Sequence, residues 1–224
     1  MDVLSMIRFL TGILFLSVAS YQDIREREVN SFIFFLMGIV ASALIIYEFF
    51  PGALIPVLIF FLSFLDLKSF DHVLNILFIV SSIFYIIYNG SYIIFILSIL
   101  LIIYKYLHYT GILPGGADMR AIMAISLLVP YYPETFTGLN VKFQFISIIF
   151  PYSIEVLFYA AILNALIYLP YVYYLNYRNK NIKVPEMFTK VYRDGKWVPY
   201  ETPFILSITI AFLISFFFSL FSVL

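Results

Sequence analysis

The sequence contains no cysteine and only two histidines, His72 and His108. Disulfides, thiolate metal centres and a cysteine nucleophile are therefore excluded, and a zinc site built on several imidazoles is disfavoured. Charge is scarce as well. Asp, Glu, Lys and Arg make up 12% of the 224 residues, against about a quarter in soluble domains. The formal net charge is zero, which removes the bulk electrostatic case for a nucleic-acid partner. A basic leader is missing from the amino terminus: Arg8 lies inside the apolar stretch from Leu4 to Ala19. That stretch reads as a first helix and not as a cleavable signal peptide.

What fills the chain instead is apolar. Hydrophobic residues make up 63% of it, and the mean hydropathy is +1.02. No soluble fold of this length has the interior to hide so much apolar surface, so the expected solvent is lipid. In lipid every backbone polar group must be satisfied within the chain, and long apolar runs meet that condition as helices. The expected class is an all-α polytopic membrane protein. The 26 Phe and 19 Tyr residues are accounted for by helix packing and interfacial belts.

A spanning helix needs about 20 apolar residues. Polar punctuation divides the chain into runs at 4–22, 29–50, 52–67, 72–88, 91–108, 117–131, 152–175 and 203–224. The runs 52–67, 72–88 and 117–131 are short, so the expected number of transmembrane helices is six to eight. With the N-terminus outside and eight spans threaded, the inner segments collect Arg25, Arg27, Lys68, Lys105, Arg120, Arg178, Lys180, Lys183, Lys190, Arg193 and Lys196, which is 11 of the 13 Lys and Arg residues. The positive-inside rule then puts both termini outside and residues 23–28, 105–120 and 176–202 in the cytoplasm. Three regions follow: a helical membrane domain over 1–175, a cytoplasmic polar loop over 176–202, and a last transmembrane helix over 203–224. Within the loop, Asp194-Gly195 between two β-forming runs predicts a hairpin, because both turn residues tolerate positive φ. Its basic residues suit anionic lipid headgroups.

Two polar stretches interrupt the apolar runs at the same predicted depth. "ILPGGADMRAI", residues 112–122, places Asp118 within a turn of a helix start, behind Gly115-Gly116. There the carboxylate meets free amides and the positive end of the helix dipole, so an N-terminal cap is one reading. A carboxylate at membrane depth is also a functional candidate. "SYQDIREREVN", residues 20–30, places Asp23 at the end of the first helix. As one charge of a solvated loop it would pair with Arg25 and Arg27. Facing Asp118, it would complete an aspartyl dyad, in which one carboxyl holds a proton and the other activates water. A rival cluster, Asp66, Lys68, Asp71 and His72, has the look of an ordinary turn between antiparallel helices. Glu155 and Asn164 lie nine positions apart on one run and face opposite sides. Glu155 is expected at the outer boundary, Glu48 at an interface, and Asn164 in an interhelical hydrogen bond of about 0.6 kcal/mol.

The pair of polar stretches resembles the membrane aspartyl proteases of the GxGD type, and most of all the archaeal preflagellin and prepilin peptidases. Asp23, Arg25, Glu28 and Asn30 match the family's segment after helix one. Gly115, Gly116, Ala117 and Asp118 match its GxGD tetrad, with Ala117 where the family has its second glycine. The polar loop before a last helix, entered by "WVPYETPF", is also similar to the archaeal branch. The two aspartates are 95 residues apart, further than in compact six-helix members, and the resemblance does not extend over Pro51 to Tyr88. It implies catalysis by Asp23 and Asp118, with Gly115, Gly116, Ala117, Arg25 and Asn30 supporting them and no metal or organic cofactor. The implied substrates are membrane-anchored precursors of archaellins or type IV pilin-like proteins. Their short basic leader would be removed at the cytoplasmic face, with Glu26 and Glu28 meeting the leader's charge. The alternative from another class is a proton-coupled transporter using the same carboxylates, which inverted repeats would favour; none are visible. A non-catalytic assembly protein is a third.

Overall fold

The computed structural model describes residues 3–65, 71–89, 92–113, 115–132, 150–178, 190–193, 196–199 and 202–218. Eight helices and one pair of short strands occupy them. The first two helices are α1 (Val3–Glu26) and α2 (Phe32–Phe49), followed by α3 (Leu54–Leu62), α4 (Asp71–Asn89) and α5 (Tyr92–Tyr109). Next come α6 (Gly116–Leu128) and α7 (Tyr152–Arg178). Strands β1 (Lys190–Arg193) and β2 (Lys196–Pro199) precede the last helix, α8 (Phe204–Phe217). Helices α1, α2, α4, α5 and α7 are long and apolar enough to cross a membrane.

Helix α1 buries one stripe: Ser5, Arg8, Gly12, Leu16, Ala19, Ser20 and Asp23. Their spacing of three and four is that of a helix face. Small residues in the stripe let α8 lie close and antiparallel to it. A Cβ on Gly12 would strike the ring of Phe212, and Phe9 stacks among Phe212, Phe216 and Phe217. Further along the same seam Ser20 and Thr209 share a hydroxyl hydrogen bond of 2.6 Å.

The centre of the bundle is α6. Every residue from Ala121 to Leu128 is buried, as expected of a helix with neighbours all round. It packs mainly against α2 and α5 and also touches α1, α3, α7 and α8. Its 13 residues rise only about 20 Å, and α3, at nine residues, rises about 14 Å. The runs at 52–67 and 117–131 are thus shorter as helices than as apolar stretches. Past Leu62 the chain tightens into three-residue turns, with Phe64 and Leu65 amides bonded to Phe61 and Leu62 carbonyls. Past Leu128, Pro130 disfavours a helical Val129. Helix α4 packs on α5 and lightly on α3; its outer face, including Val73, Ile76, Leu77 and Phe84, is exposed.

At the end of the bundle holding residue 8, Arg8 pairs with Glu48. Tyr131 donates its hydroxyl to Glu48 at 2.7 Å and lies under the Arg8 guanidinium, 4.7 Å from the ring centre. This ties α1, α2 and the segment after α6 together. Glu48, at the end of α2, is therefore one half of a mostly buried ion pair. Glu155 is likewise fully buried, in the first turn of α7, where the helix dipole favours an acid.

Helix α7 has 27 residues with Pro170 inside it and is about 40 Å long. Asn176 near its end donates to the Lys190 carbonyl at 2.7 Å, joining it to β1. Strands β1 and β2 are antiparallel, Arg193 opposite Lys196 and Lys190 opposite Pro199. The expected turn residues Asp194 and Gly195 lie outside the described residues, as do Lys180 and Lys183 and most of the segment from Tyr132 to Pro151.

Candidate functional site

The end of α1, the starts of α2, α6 and α8, and the end of α5 meet at the opposite end of the bundle from Arg8. Asp23 sits in the last turn of α1 and is buried. Its Oδ2 accepts the Ile205 amide at 2.9 Å. The reason lies in α8, whose N-cap position is Pro203. Proline has no polar side chain to satisfy the free first-turn amides, and a carboxylate from another helix takes its place. Immediately after α1, Arg27 adopts a left-handed conformation at φ 58°, which ends the helix and turns the chain toward α2. The turn is held by Asn30, whose amide donates to Gln22 at 3.1 Å and whose side-chain oxygen accepts the Phe32 amide at 2.9 Å.

The path into α6 is fixed differently. His108 bonds through Nδ1 to the Leu113 carbonyl at 2.8 Å, pinning the connection back onto α5. Gly115 is the N-cap of α6, at φ −78° and ψ 120°, a conformation any residue can adopt. What requires glycine there is space. The Asp118 carboxylate folds back over Gly115, where a Cβ would collide with it. Gly116 has no such crowding; the nearest atoms to its absent Cβ belong to His108, at 3.8 and 3.9 Å. The Asp118 carboxylate accepts no hydrogen bond from the described residues, so the capping reading of Asp118 is not what the structure shows. The capping carboxylate is Asp23, and the helix it caps is α8.

Both aspartates line one cavity of about 700 Å³, walled also by Arg27, Glu28, Gly115 and Gly116. The two carboxylates are near enough to interact electrostatically. Ala117 is on the lining as well, so the whole tetrad faces the cavity. Other residues implied by the resemblance stand elsewhere. Arg25 is exposed and points toward the Tyr21 hydroxyl at 3.4 Å. Asn30 shapes the α1–α2 turn. Glu26 is exposed and off the cavity wall, whereas Glu28 is on it. Arg120, two residues beyond Asp118, donates to Ser31 and lies over the Phe64 ring at 4.8 Å, fastening α6 to the start of α2.

Two residues on this wall were not expected there from the sequence. Arg27 was visible only as a loop charge; no local signal marks its left-handed backbone. Asn164, expected to bridge two helices, makes no such bridge among the described residues: its side-chain oxygen is buried and has no partner. It lines the dyad cavity. Of the rival cluster, Asp66 and Lys68 lie outside the described residues. His72 bonds to the Tyr106 hydroxyl at 2.9 Å and does not line the cavity. Among the described residues no group of three His, Cys, Asp or Glu side chains is placed to hold a metal.

Comparison with known protein families, with curated proteins and with solved structures returns no match to this chain.

Proposed function

We propose that the chain is a multi-pass membrane aspartyl endopeptidase with its active site near the cytoplasmic face. The observation that carries this reading is that Asp23 and Asp118, 95 residues apart in sequence, line one cavity from different helices. One carboxylate is held by a backbone amide, and the other is free of hydrogen bonds from the described residues. Such a pair can share one proton. The ionised member takes a proton from a water between them as the water oxygen attacks the amide carbon, and the protonated member gives its proton to the carbonyl oxygen. Collapse of the tetrahedral intermediate breaks the C–N bond, with a proton passing to the leaving amine. The pair titrates as a unit, so the rate falls on both sides of an optimum as the dyad gains a second proton or loses its last.

The cations Arg25, Arg27, Lys105 and Arg120 belong to the same end of the bundle as the dyad. By the positive-inside rule that end is cytoplasmic. A precursor whose short basic leader precedes an apolar helix fits this arrangement. Its helix stays in lipid and its leader meets Glu28 on the cavity wall. Preflagellins and prepilins have this form, and their processing is the activity proposed.

The test is incubation of the purified protein, in lipid nanodiscs, with a synthetic precursor carrying a basic leader and an apolar helix. Wild type is expected to release the leader as one fragment, and Asp118→Asn to release none while still folded. Turnover by Asp118→Asn removes the aspartyl mechanism. An absence of cleavage by wild type, together with proton-dependent solute uptake into proteoliposomes, establishes the transporter instead.

A further inference from the structure

Beside the dyad cavity lies a second, apolar one of about 460 Å³, between the end of α5, the face of α7 and the start of α8. The two cavities share five residues: Ile112, Leu113, Asn164, Thr202 and Phe204. On α7 the second cavity follows one broad stripe that includes Leu157, Ala161, Asn164, Tyr168 and Val172. An amide in the middle of such a stripe calls for a partner, because a buried polar group is costly unless it is hydrogen-bonded. Yet the Asn164 oxygen has none among the described residues. A leucine there would pack at least as well. The position instead holds an unused acceptor at the junction between the apolar cavity and the two carboxylates.

A peptide bond inside an α-helix is a poor target, since its amide is bonded within the helix and its carbonyl is shielded. A precursor must therefore be extended where it is cut, and away from water each freed amide needs a partner. We propose that Asn164 is a main-chain docking residue of this site, its side-chain oxygen accepting a backbone N–H of the substrate beside the scissile bond. The substrate's apolar side chains then fill the cavity along α7, and its scissile amide falls between Asp23 and Asp118. This rests on the peptidase reading and adds to it a specific substrate contact. It also explains why the contact is polar while the wall around it is apolar: the main chain is what is recognised, and any small apolar sequence satisfies the rest.

The experiment compares wild type with Asn164→Leu on the synthetic precursor and on a series in which each non-scissile amide within three residues of the cut is replaced by an ester, one at a time. An ester keeps the shape and lacks the N–H. With wild type, one ester substrate is expected to lose about tenfold in kcat/KM, the loss of a single hydrogen bond. Asn164→Leu is expected to lose about tenfold on the all-amide precursor and nothing further on that ester, with a melting temperature equal to or above wild type. A merely structural asparagine gives the opposite pattern: a lowered melting temperature and an ester penalty unchanged by the substitution. Either that pattern, or wild-type kcat/KM in Asn164→Leu, overturns the docking role and leaves the peptidase intact. If Asn164→Leu does not fold, the wild-type ester series still decides, because equal rates on every ester exclude any main-chain N–H contact. Failure of wild type to cut the all-amide precursor overturns the peptidase reading and this contact together.

Discussion

The adjacent glycines Gly115 and Gly116 should respond in opposite ways to the same substitution. In Gly115→Ala the new methyl group occupies the space of the Asp118 carboxylate. The backbone at φ −78° and ψ 120° accepts alanine without strain, so the chain itself need not move. Asp118 must swing away instead. A displacement of about 1 Å at a reacting group costs on the order of 100-fold in rate, so cleavage should fall by about that factor. Stability should change by less than about 1 kcal/mol, the difference between glycine and alanine at an N-cap. In Gly116→Ala the methyl meets only His108 atoms at 3.8 and 3.9 Å, ordinary contact. Alanine lowers the backbone entropy lost on forming the helix, so this variant should keep its activity and gain about 0.5–1 kcal/mol. Precursor cleavage followed on gels, with thermal unfolding of the same preparations, measures both. Equal losses of activity in the two variants would refute the steric argument, as would full activity in Gly115→Ala.

On the proposed reading Asp23 carries two duties that can be separated, membership of the dyad and the cap on α8. Asp23→Asn keeps an oxygen for the Ile205 amide, so it should fold normally and be inactive, whereas Asp23→Ala should also lose about 1 kcal/mol with the cap; unequal stabilities by chemical denaturation are the check. Arg8→Ala strands Glu48 in a mostly buried site and should cost about 3–5 kcal/mol, while replacing Arg8 and Glu48 together with leucine should cost far less; a double-mutant cycle reads the difference. Because Arg27 is left-handed at φ 58°, Arg27→Gly should be about 1 kcal/mol more stable than Arg27→Ala, both lacking the side chain; equal melting temperatures of the two variants would contradict it.

Much of the helical order was legible because apolar runs and polar punctuation are local properties. The limits of α3 and α6 were less so. Hydropathy continues through Leu65, but it reports what a segment tolerates around it and not where its hydrogen bonds change from four-residue to three-residue spacing. Pro130 could have marked the end of α6. For the site, the pairing of Asp23 with the Gly115–Asp118 tetrad was readable, whereas the role of each carboxylate in helix capping was not. The amide that Asp23 accepts is 182 residues away, and nothing near either residue encodes that distance. Arg8 and Glu48 carried a signal that could have been used: opposite charges, each isolated in an apolar run, at the same predicted end of adjacent helices. Asn164 is a different case. Sequence rules assign an asparagine in an apolar run a partner, and the described residues give its buried oxygen none.

The hydrogen bond between Asp23 and Ile205 also sets an order of events in the life of the chain. Helix α1 is made before α8, so the Asp23 carboxylate stays unanchored until α8 has left the ribosome and docked along α1. A nascent chain carries both aspartates long before it can hold one of them in place. Helix α8 thus acts as an assembly checkpoint for α1, and a chain cut short before α8 lacks the anchor that fixes Asp23.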